Sequence, residues 1–328
     1  MSEQLQQLMF YSNSVINKLQ ERLANEQGEL SGYPDYRAFF VNSGAEANEN
    51  ALKLASFHTG KKRVVAFRNS FHGRTSAAVE VTDNPALHVP INTNHNVYFA
   101  DLDIKEVETE LAKGDVCAVI LEGISGVGGI QVPDEDFLWQ LRKLTRRYGV
   151  VLVLDEIQSG YGRTGKFFAH QWAGIEPDLI TVAKGIANGF PFSGVLISPM
   201  FAARKGMLGT TFGGNHLGCA AALAVLKIIR EEKLIENALH TGMYLMQRLQ
   251  ELDSPLMKEI RGRGLMGELT VPVKGVREPL LFEERIFTGY SGLYTLRILP
   301  PLVLSTKEVD IFVGSLKKVL DGYYENSR

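Results

Sequence analysis

Apolar residues along this chain fall into two alternating patterns. In one pattern they form short, bounded runs rich in β-branched residues, which are typical of strands buried on both faces of a sheet. In the other they recur at helical spacing, most clearly over 45–58 and 136–148. The predicted strands lie at 64–67, 116–121, 150–154, 179–182 and 194–197. This alternation predicts an α/β fold with a mostly parallel sheet flanked by helices.

The pattern changes towards the C-terminus. Helical spacing dominates from 217 to 252, with a break near Glu232 and Lys233. After Pro255 the chain turns to short strand-like runs and glycine-containing turns, followed by a final helix over about 306–324. A chain of 328 residues is too long for one small core. We therefore predict a large domain over residues 1–252 and a smaller α+β domain over residues 253–328.

Composition and charge narrow the class of protein. The net charge is −2 without a basic block, which argues against nucleic acid or an anionic membrane as a partner. The two cysteines lie in apolar stretches without metal-ligand spacing, so we predict buried thiols and no metal site. The first residues lack the basic start of a secretion signal, and no apolar run reaches membrane-spanning length. We predict a cytoplasmic protein.

Two of the apolar runs end in a single charged residue. The run 150–154 stops at Asp155, and the run 179–182 leads through Ala183 to Lys184. Neighbouring parallel strands would deliver both side chains to one edge of the sheet. Pyridoxal phosphate (PLP) needs such a pair, because the amine forms a Schiff base with its aldehyde and the carboxylate keeps its ring nitrogen protonated. A salt bridge at a strand terminus is the alternative for an isolated pair, so the neighbouring motifs decide.

The segment 42–49 predicts a helix N-terminus. Ser43 and Glu46 have the spacing of a capping box, and apolar residues then recur at helical spacing. Small residues at the start of a helix leave N–H groups that can approach a phosphate closely, and the helix dipole favours the anion. Taken alone, the segment favours a well-capped helix without a ligand over a phosphate site.

Three further segments carry candidate chemistry. In 70–74, Phe71 offers a ring to stack on a flat cofactor and Arg74 a guanidinium for a carboxylate, whereas His72 alone predicts a structural histidine. The loop 209–215 has two hydroxyls and three glycines, which suit phosphate contact or a simple turn. Arg297 lies inside an apolar run that Pro300 ends, and a buried arginine needs an anionic partner. A substrate carboxylate is a candidate for that partner.

Together and in this order, these segments resemble the class III PLP-dependent aminotransferases of fold type I. The resemblance runs from about Phe10 to Leu320 and is closest to the acetylornithine aminotransferases within the class. Two stretches, 10–14 and 281–284, are similar to a bacterial subgroup that can use N-succinylornithine. The motifs that carry the resemblance are 43–47, 71–74, 155–158, 183–185 and 211–215. It implies the PLP-transferase fold type I with a smaller α+β C-terminal domain.

The resemblance also implies roles for the matching cofactor residues. Lys184 would hold PLP and move the proton between substrate and cofactor, and Asp155 would pair with the ring nitrogen. Phe71 would stack on the ring, and Gln158 would hydrogen-bond its phenolic oxygen. The phosphate would be bound by the residues matching the family's phosphate motifs, namely Gly44 and Ala45 through their N–H groups and Thr211 through its hydroxyl. Thr211 would come from the neighbouring subunit, so a homodimer with a shared active site is implied.

The implied substrates are small molecules that carry carboxylates. Arg74 and Arg297 would hold these carboxylates, and Thr210 would lie near an acylated amino donor. The donor would be an N-acylated ornithine, which gives up its ω-amino group, and 2-oxoglutarate would take the amine, as in arginine biosynthesis. The sequence leaves open whether the acyl group is acetyl or succinyl, and whether the donor belongs to an ornithine or a lysine pathway.

Two departures from the family pattern add alternatives. Relatives usually carry a few dozen residues before the stretch that matches Phe10, so we expect either a truncated start or a site without that cover. Many relatives have Glu-Pro where Glu122 and Gly123 stand, and an acidic residue where Val127 stands. Another class III enzyme, of the ornithine or 4-aminobutyrate aminotransferase, aminomutase or decarboxylase type, therefore stays open, as does an inactive truncated paralogue. Nucleotide binding is disfavoured, because no Walker sequence is present.

Overall fold

The larger part of the molecule is a seven-stranded sheet. In this computed structural model the described residues are 1–93 and 96–326. The strands are β1 Arg37–Val41, β2 Arg63–Phe67, β3 Val97–Ala100, β4 Val116–Glu122, β5 Val151–Asp155, β6 Leu179–Val182 and β7 Ser193–Ile197. Their order across the sheet is β1-β7-β6-β5-β4-β2-β3, and β7 is antiparallel to both of its neighbours. The sheet is otherwise parallel, which confirms the predicted mostly parallel arrangement.

Helices cover both faces of this sheet. They are α1 Ser2–Leu5, α2 Lys18–Ser31, α3 Gly44–Thr59, α4 Ser76–Glu80, α5 Ile104–Leu111, α6 Glu135–Tyr148, α7 His216–Glu231 and α8 Leu234–Gln250. Along β5, Val151 and Val153 face the core that contains α3, whereas Leu152 and Leu154 face the core that contains α5 and α6. This alternation explains why β5 is apolar throughout, since a strand between two helical layers has no solvent face.

Five strands were expected from the sequence, and all five are present with ends within one residue of the prediction. The predicted break between two helices is present too, because Lys233 has a left-handed φ of 51° between α7 and α8. Two strands were not predicted, β1 and β3. Both lie at edges of the sheet and are only partly buried, so their apolar signal is weak.

A second, antiparallel sheet lies in the C-terminal part. It consists of β8 Ile260–Arg263, β9 Met266–Thr270, β10 Gly289–Ser291 and β11 Thr295–Ile298, in the order β10-β11-β9-β8, with helices α9 Val273–Phe282 and α10 Thr306–Asn326. Its core also includes Leu245 and Leu249 of α8. The division at residue 252 stays a prediction, and these two side chains tie α8 to the second core.

The two sheets meet beside the carboxyl ends of the parallel strands. Arg163, in the loop after β5, donates hydrogen bonds to the carbonyls of Leu265 and Pro300 on the C-terminal side. Pro300 follows β11, so this contact fixes the end of β11 relative to the large sheet. Within the described residues, no helix combines the length and the apolar character needed to cross a membrane.

Candidate active site

Asp155 and Lys184 lie on one edge of the large sheet, as predicted. Strands β5 and β6 are parallel neighbours, and Asp155 is in register with Thr181, three residues before Lys184. Both side chains line a cavity of about 400 Å³. Of the other residues predicted for the cofactor, four line the same cavity, and these are Gly44, Ala45, Phe71 and Gln158. The fold therefore brings together six residues that are spread over more than a hundred positions of sequence.

Asp155 is held by three donors. Its Oδ2 accepts hydrogen bonds from Asn48 Nδ2 at 2.8 Å and from His72 Nδ1 at 2.8 Å, and its Oδ1 accepts from the Ile157 N–H at 3.0 Å. Asn48 also donates to the His72 carbonyl at 2.7 Å, so the two side chains support each other. A carboxylate has about four acceptor positions, so one further donor can approach Oδ1. The carboxylate is thus buried and fixed in orientation, and it can accept one further hydrogen bond.

Lys184 is exposed to the cavity and has an unusual backbone. Its φ is 46°, in the left-handed region that side-chain-bearing residues rarely occupy, and such strain is frequent at functional sites. The pKa of the amine is lowered, mainly because the surrounding protein removes water from its charged form, and Arg297 acts in the same direction. Asp155 and Glu122 act in the opposite direction. A lowered pKa makes more neutral amine available, which is the form that reacts with an aldehyde.

The N-terminus of α3 forms another wall of the cavity. Ser43 Oγ accepts a hydrogen bond from the Glu46 N–H at 3.3 Å, as predicted for an N-cap. The predicted capping box is only half formed, because Glu46 accepts from the Asn42 N–H at 2.9 Å rather than from that of Ser43. A Cβ at Gly44 would lie 2.8 Å from Ile157 Cδ1, so the close approach of backbone and wall requires glycine. Free N–H groups at this helix end suit an anion.

Four residues predicted to bind substrate or phosphate do not line this cavity, namely Arg74, Thr210, Thr211 and Arg297. Arg74 is exposed, one residue after the cavity-lining Gly73. Thr210 accepts a hydrogen bond from the Gly213 N–H at 3.1 Å, and Thr211 is exposed on the same loop. The side chain of Asn13 holds this loop by donating to the carbonyls of Thr210, Thr211 and Gly213. Contacts within the same chain hold this loop in place, but its hydroxyls do not reach the cavity of that chain.

Arg297 lies next to the cavity on β11. Its Nη1 donates to the Gly126 carbonyl at 2.9 Å, and its Nε is buried without a partner within the described part of the chain. Glu268 stands opposite Arg297 in register, but Glu268 is paired with Arg261 and accepts the Ile130 N–H at 2.5 Å. The pKa of Arg297 is lowered, mainly because of burial. The guanidinium therefore lacks a carboxylate partner of its own among the described residues.

Comparison with known proteins decides the family. The family model described as aminotransferase class-III matches residues 1–320. The chain belongs to the class III aminotransferases.

Characterised relatives agree with this assignment. The chain is 38% identical over 332 residues to an acetylornithine aminotransferase of Methanothermobacter thermautotrophicus, with 97% of this chain and 82% of the relative covered. It is 37% identical over 333 residues to that of Streptococcus mutans, with 98% and 86% covered. Among solved structures, an ornithine aminotransferase of Toxoplasma gondii superposes with a TM-score of 0.93 at 29% identity, covering 100% of this chain and 82% of that one. The chain is therefore an aminotransferase with the PLP-transferase fold type I expected above.

The cavity of this class III aminotransferase fits PLP on the evidence of its own groups. It offers an aromatic wall at Phe71, a helix N-terminus at Gly44 for the phosphate, and an amine at Lys184. Asp155 keeps one acceptor position open, which is what a protonated ring nitrogen requires. A second Toxoplasma gondii ornithine aminotransferase structure, with a TM-score of 0.91, is described with partial occupancy of PLP at its active site.

Three residues of this aminotransferase site had no predicted function. Asn48 and His72 hold Asp155, although the sequence indicated only a structural role for His72. Glu122 ends β4 beside Asp155, its partner in register, and lines the cavity as well. A signal for Glu122 was available, because it ends an apolar run in the same way as Asp155 does. No local signal marks Asn48, whose contact with Asp155 spans 107 positions.

Proposed function

We propose that this aminotransferase uses PLP to transfer the ω-amino group of an N-acylated ornithine, acetylated or succinylated, to 2-oxoglutarate in arginine biosynthesis. The observation that carries the proposal is the placement of Lys184 and Asp155 at neighbouring strand ends, facing the N-terminus of α3. The acyl-ornithine donor is supported by the relatives, which are named acetylornithine aminotransferases at 36–38% identity.

In this proposal the chain's own residues bind and orient the cofactor. When bound, PLP supplies an aldehyde that exchanges amino groups and a ring that withdraws electrons from the substrate. The N–H groups of Gly44 and Ala45 bind its phosphate, and Phe71 packs on the face of its ring. Asp155, fixed by its three donors, holds the proton on the ring nitrogen. Gln158 donates to the phenolic oxygen.

Lys184 has two tasks in this proposal. Its amine would hold the cofactor, and as a free amine it would carry a proton to and from the reacting carbon. Its lowered pKa supports both tasks, because a neutral amine can attack an aldehyde and can also accept a proton.

The substrate carboxylates are assigned to two arginines. Arg297 has a lowered pKa because of burial but no carboxylate partner among the described residues, so an incoming carboxylate would restore its charge balance. Arg74 is exposed beside the lining residue Gly73 and can receive the more distant carboxylate of the acylornithine.

We propose that the active unit is a homodimer with a shared site. Thr210 and Thr211 belong to a loop that Asn13 holds in place, yet neither lines the cavity of the same chain. A second copy would present this loop to the first copy's phosphate site, with Thr211 on the phosphate and Thr210 near the acyl group. Phe212, which is 58% exposed beside them, gives the loop an apolar contact for that copy.

One observation favours a second candidate. Val127 lines the cavity next to Gly126, the residue that Arg297 contacts, so position 127 supplies no carboxylate to pair with Arg297. An arginine left open in this way also suits a donor whose carboxylate lies close to its reacting amine. Another class III activity, on ornithine itself or on 4-aminobutyrate, is therefore the alternative.

A steady-state panel tests the proposal. Ornithine, N-acetylornithine, N-succinylornithine and 4-aminobutyrate are each offered with 2-oxoglutarate, and turnover is followed in the cofactor's absorbance band. We expect the two acylated ornithines to give the highest kcat/KM. A preference for ornithine or 4-aminobutyrate would select the alternative. Lys184→Ala is the control, since any signal that remains in this variant does not come from the site.

A further inference from the structure

A buried carboxylate that the proposed function does not use lies at the end of β4. Glu122 is 7% exposed and is surrounded by neutral donors. Its Oε1 accepts hydrogen bonds from the Phe71 N–H at 3.0 Å and from Ser125 Oγ at 3.2 Å, and its Oε2 accepts from the Gly126 N–H at 2.9 Å. A buried charge without a cation is costly, so these donors are what keep it in place.

The two backbone donors belong to different segments of the site, since Phe71 lines the cavity and Gly126 precedes the lining residue Val127. Phe71 is the aromatic residue that faces the proposed cofactor ring. Gly126 belongs to the loop after β4, and its carbonyl accepts Arg297 Nη1 at 2.9 Å. A continuous series of hydrogen bonds therefore runs from Phe71 through Glu122 and Gly126 to Arg297, with each contact between 2.9 and 3.0 Å.

We infer that Glu122 is a positioning residue that ties the cavity wall at Phe71 to the wall at Val127, whose neighbour Gly126 contacts Arg297, so that one carboxylate sets the affinity of the site for both the cofactor and a carboxylate substrate. The inference rests on the proposed function. Glu122 itself contacts neither ligand in this account and acts through Phe71 and Gly126.

The charge of Glu122 supports this role alongside its geometry. It raises the pKa of Lys184 and that of Arg297, in both cases against the effect of burial. The pKa of Glu122 is itself raised, mainly because of burial and also because of Asp155, while His72 and the two backbone donors act against the increase. The carboxylate thus offsets part of the effect of burial on both cations.

Glu122→Gln separates positioning from simple structural support. The variant keeps the size of the side chain, but an amide has one acceptor oxygen, and its NH₂ group cannot accept an N–H. Either Phe71 or Gly126 then loses its acceptor. We expect the dissociation constant of PLP for the apo-protein, followed by quenching of intrinsic fluorescence, to rise about tenfold. The inhibition constant of glutarate, an unreactive dicarboxylate, should rise by a similar factor.

Two controls define what a merely structural role would look like. Glu110→Gln makes the same change at a buried carboxylate that is paired with Arg63 outside the cavity. It should lower the melting temperature and leave both ligand constants unchanged. Ser125→Ala removes the longest of the three hydrogen bonds and keeps the carboxylate, so both constants should stay within about twofold.

The outcomes separate this inference from the proposed function. If wild type binds PLP and a folded Glu122→Gln changes neither constant, or only one of them, the link between the two walls is refuted while the proposed function stands. If wild type binds no PLP, the proposed function fails and takes the inference with it. Should Glu122→Gln not fold, Glu122→Asp decides by the same criterion, since it keeps the charge but is one methylene too short to reach both donors.

Discussion

Val127→Glu would place an acidic side chain between Arg297 and the cavity. Val127 lines the cavity, and 40% of its surface is exposed. Its neighbour Gly126 accepts the hydrogen bond from Arg297 Nη1 at 2.9 Å. A glutamate at position 127 would therefore start one residue away from the guanidinium's present partner. Because Arg297 has no carboxylate of its own among the described residues, the new side chain should pair with it.

The size of the loss in affinity follows from the attraction between the two charges and from the solvent exposure of position 127. Opposite unit charges 4 Å apart attract by about 4 kcal/mol at an effective dielectric constant of about 20. The exposure of position 127 and the ordering of a flexible glutamate reduce this to a net coupling of about 1–2 kcal/mol. A substrate carboxylate that needs Arg297 must displace this pair, so its affinity should fall about five- to thirtyfold.

The assay compares two substrates and one control variant. KM for 2-oxoglutarate should rise by this factor, whereas KM for the acylornithine should change less, because its carboxylate is remote from the reacting amine. Val127→Gln adds similar volume without charge and should leave the ratio of the two KM values unchanged. Added salt should weaken the effect of the glutamate. Equal changes for both substrates, or the same result for both variants, would show that position 127 does not act on Arg297.

Three further predictions concern the catalytic pair and the shared site. Lys184→Ala should abolish turnover and leave no cofactor that borohydride can fix to the protein, and fixation on another lysine would contradict its assignment. Asp155→Asn should reduce kcat/KM by about a hundredfold or more, since a neutral amide cannot hold the ring-nitrogen proton, and activity within about tenfold of wild type would argue against that role. Inactive Lys184→Ala and weakened Thr211→Ala chains, mixed and re-associated, should regain activity, because one site of each heterodimer is intact; no gain in a confirmed heterodimer would place Thr211 outside the partner's site.

Several features of the fold could be predicted from local sequence for a physical reason. A strand covered by helices on both faces is apolar along its whole length, so β5 and β6 are visible as uninterrupted runs. A charged residue that ends such a run must leave the core at the sheet edge, which located Asp155 and Lys184. Edge strands lack this signal, and β1 and β3 were missed. The reversed direction of β7 depends on pairing with β1 and β6, which local sequence does not encode.

Residues of the site could be predicted from the sequence only where a single segment supplies a complete chemical group. The helix start at Gly44 and the ring of Phe71 are of this kind. Asn48 and His72 gain their function from a contact with Asp155 that spans 107 and 83 positions, so no spacing rule finds them. Thr210 and Thr211 were given their roles through the family resemblance, and the cavity of a single chain includes neither them nor the two arginines Arg74 and Arg297. The roles proposed for them depend on a bound substrate or a second copy.

Asp155 and Glu122 show how two carboxylates at neighbouring strand ends can serve different purposes. They are partners in register, both are buried, and each accepts three hydrogen bonds. Two of the donors to Asp155 are side chains, His72 and Asn48, so its orientation can be adjusted without moving the main chain. Two of the donors to Glu122 are backbone N–H groups, so a change at Glu122 must move the walls themselves. This difference supports the proposed division, in which Asp155 holds the ring-nitrogen proton and Glu122 sets the spacing of the cavity walls, and Asp155→Asn should alter kcat where Glu122→Gln alters binding.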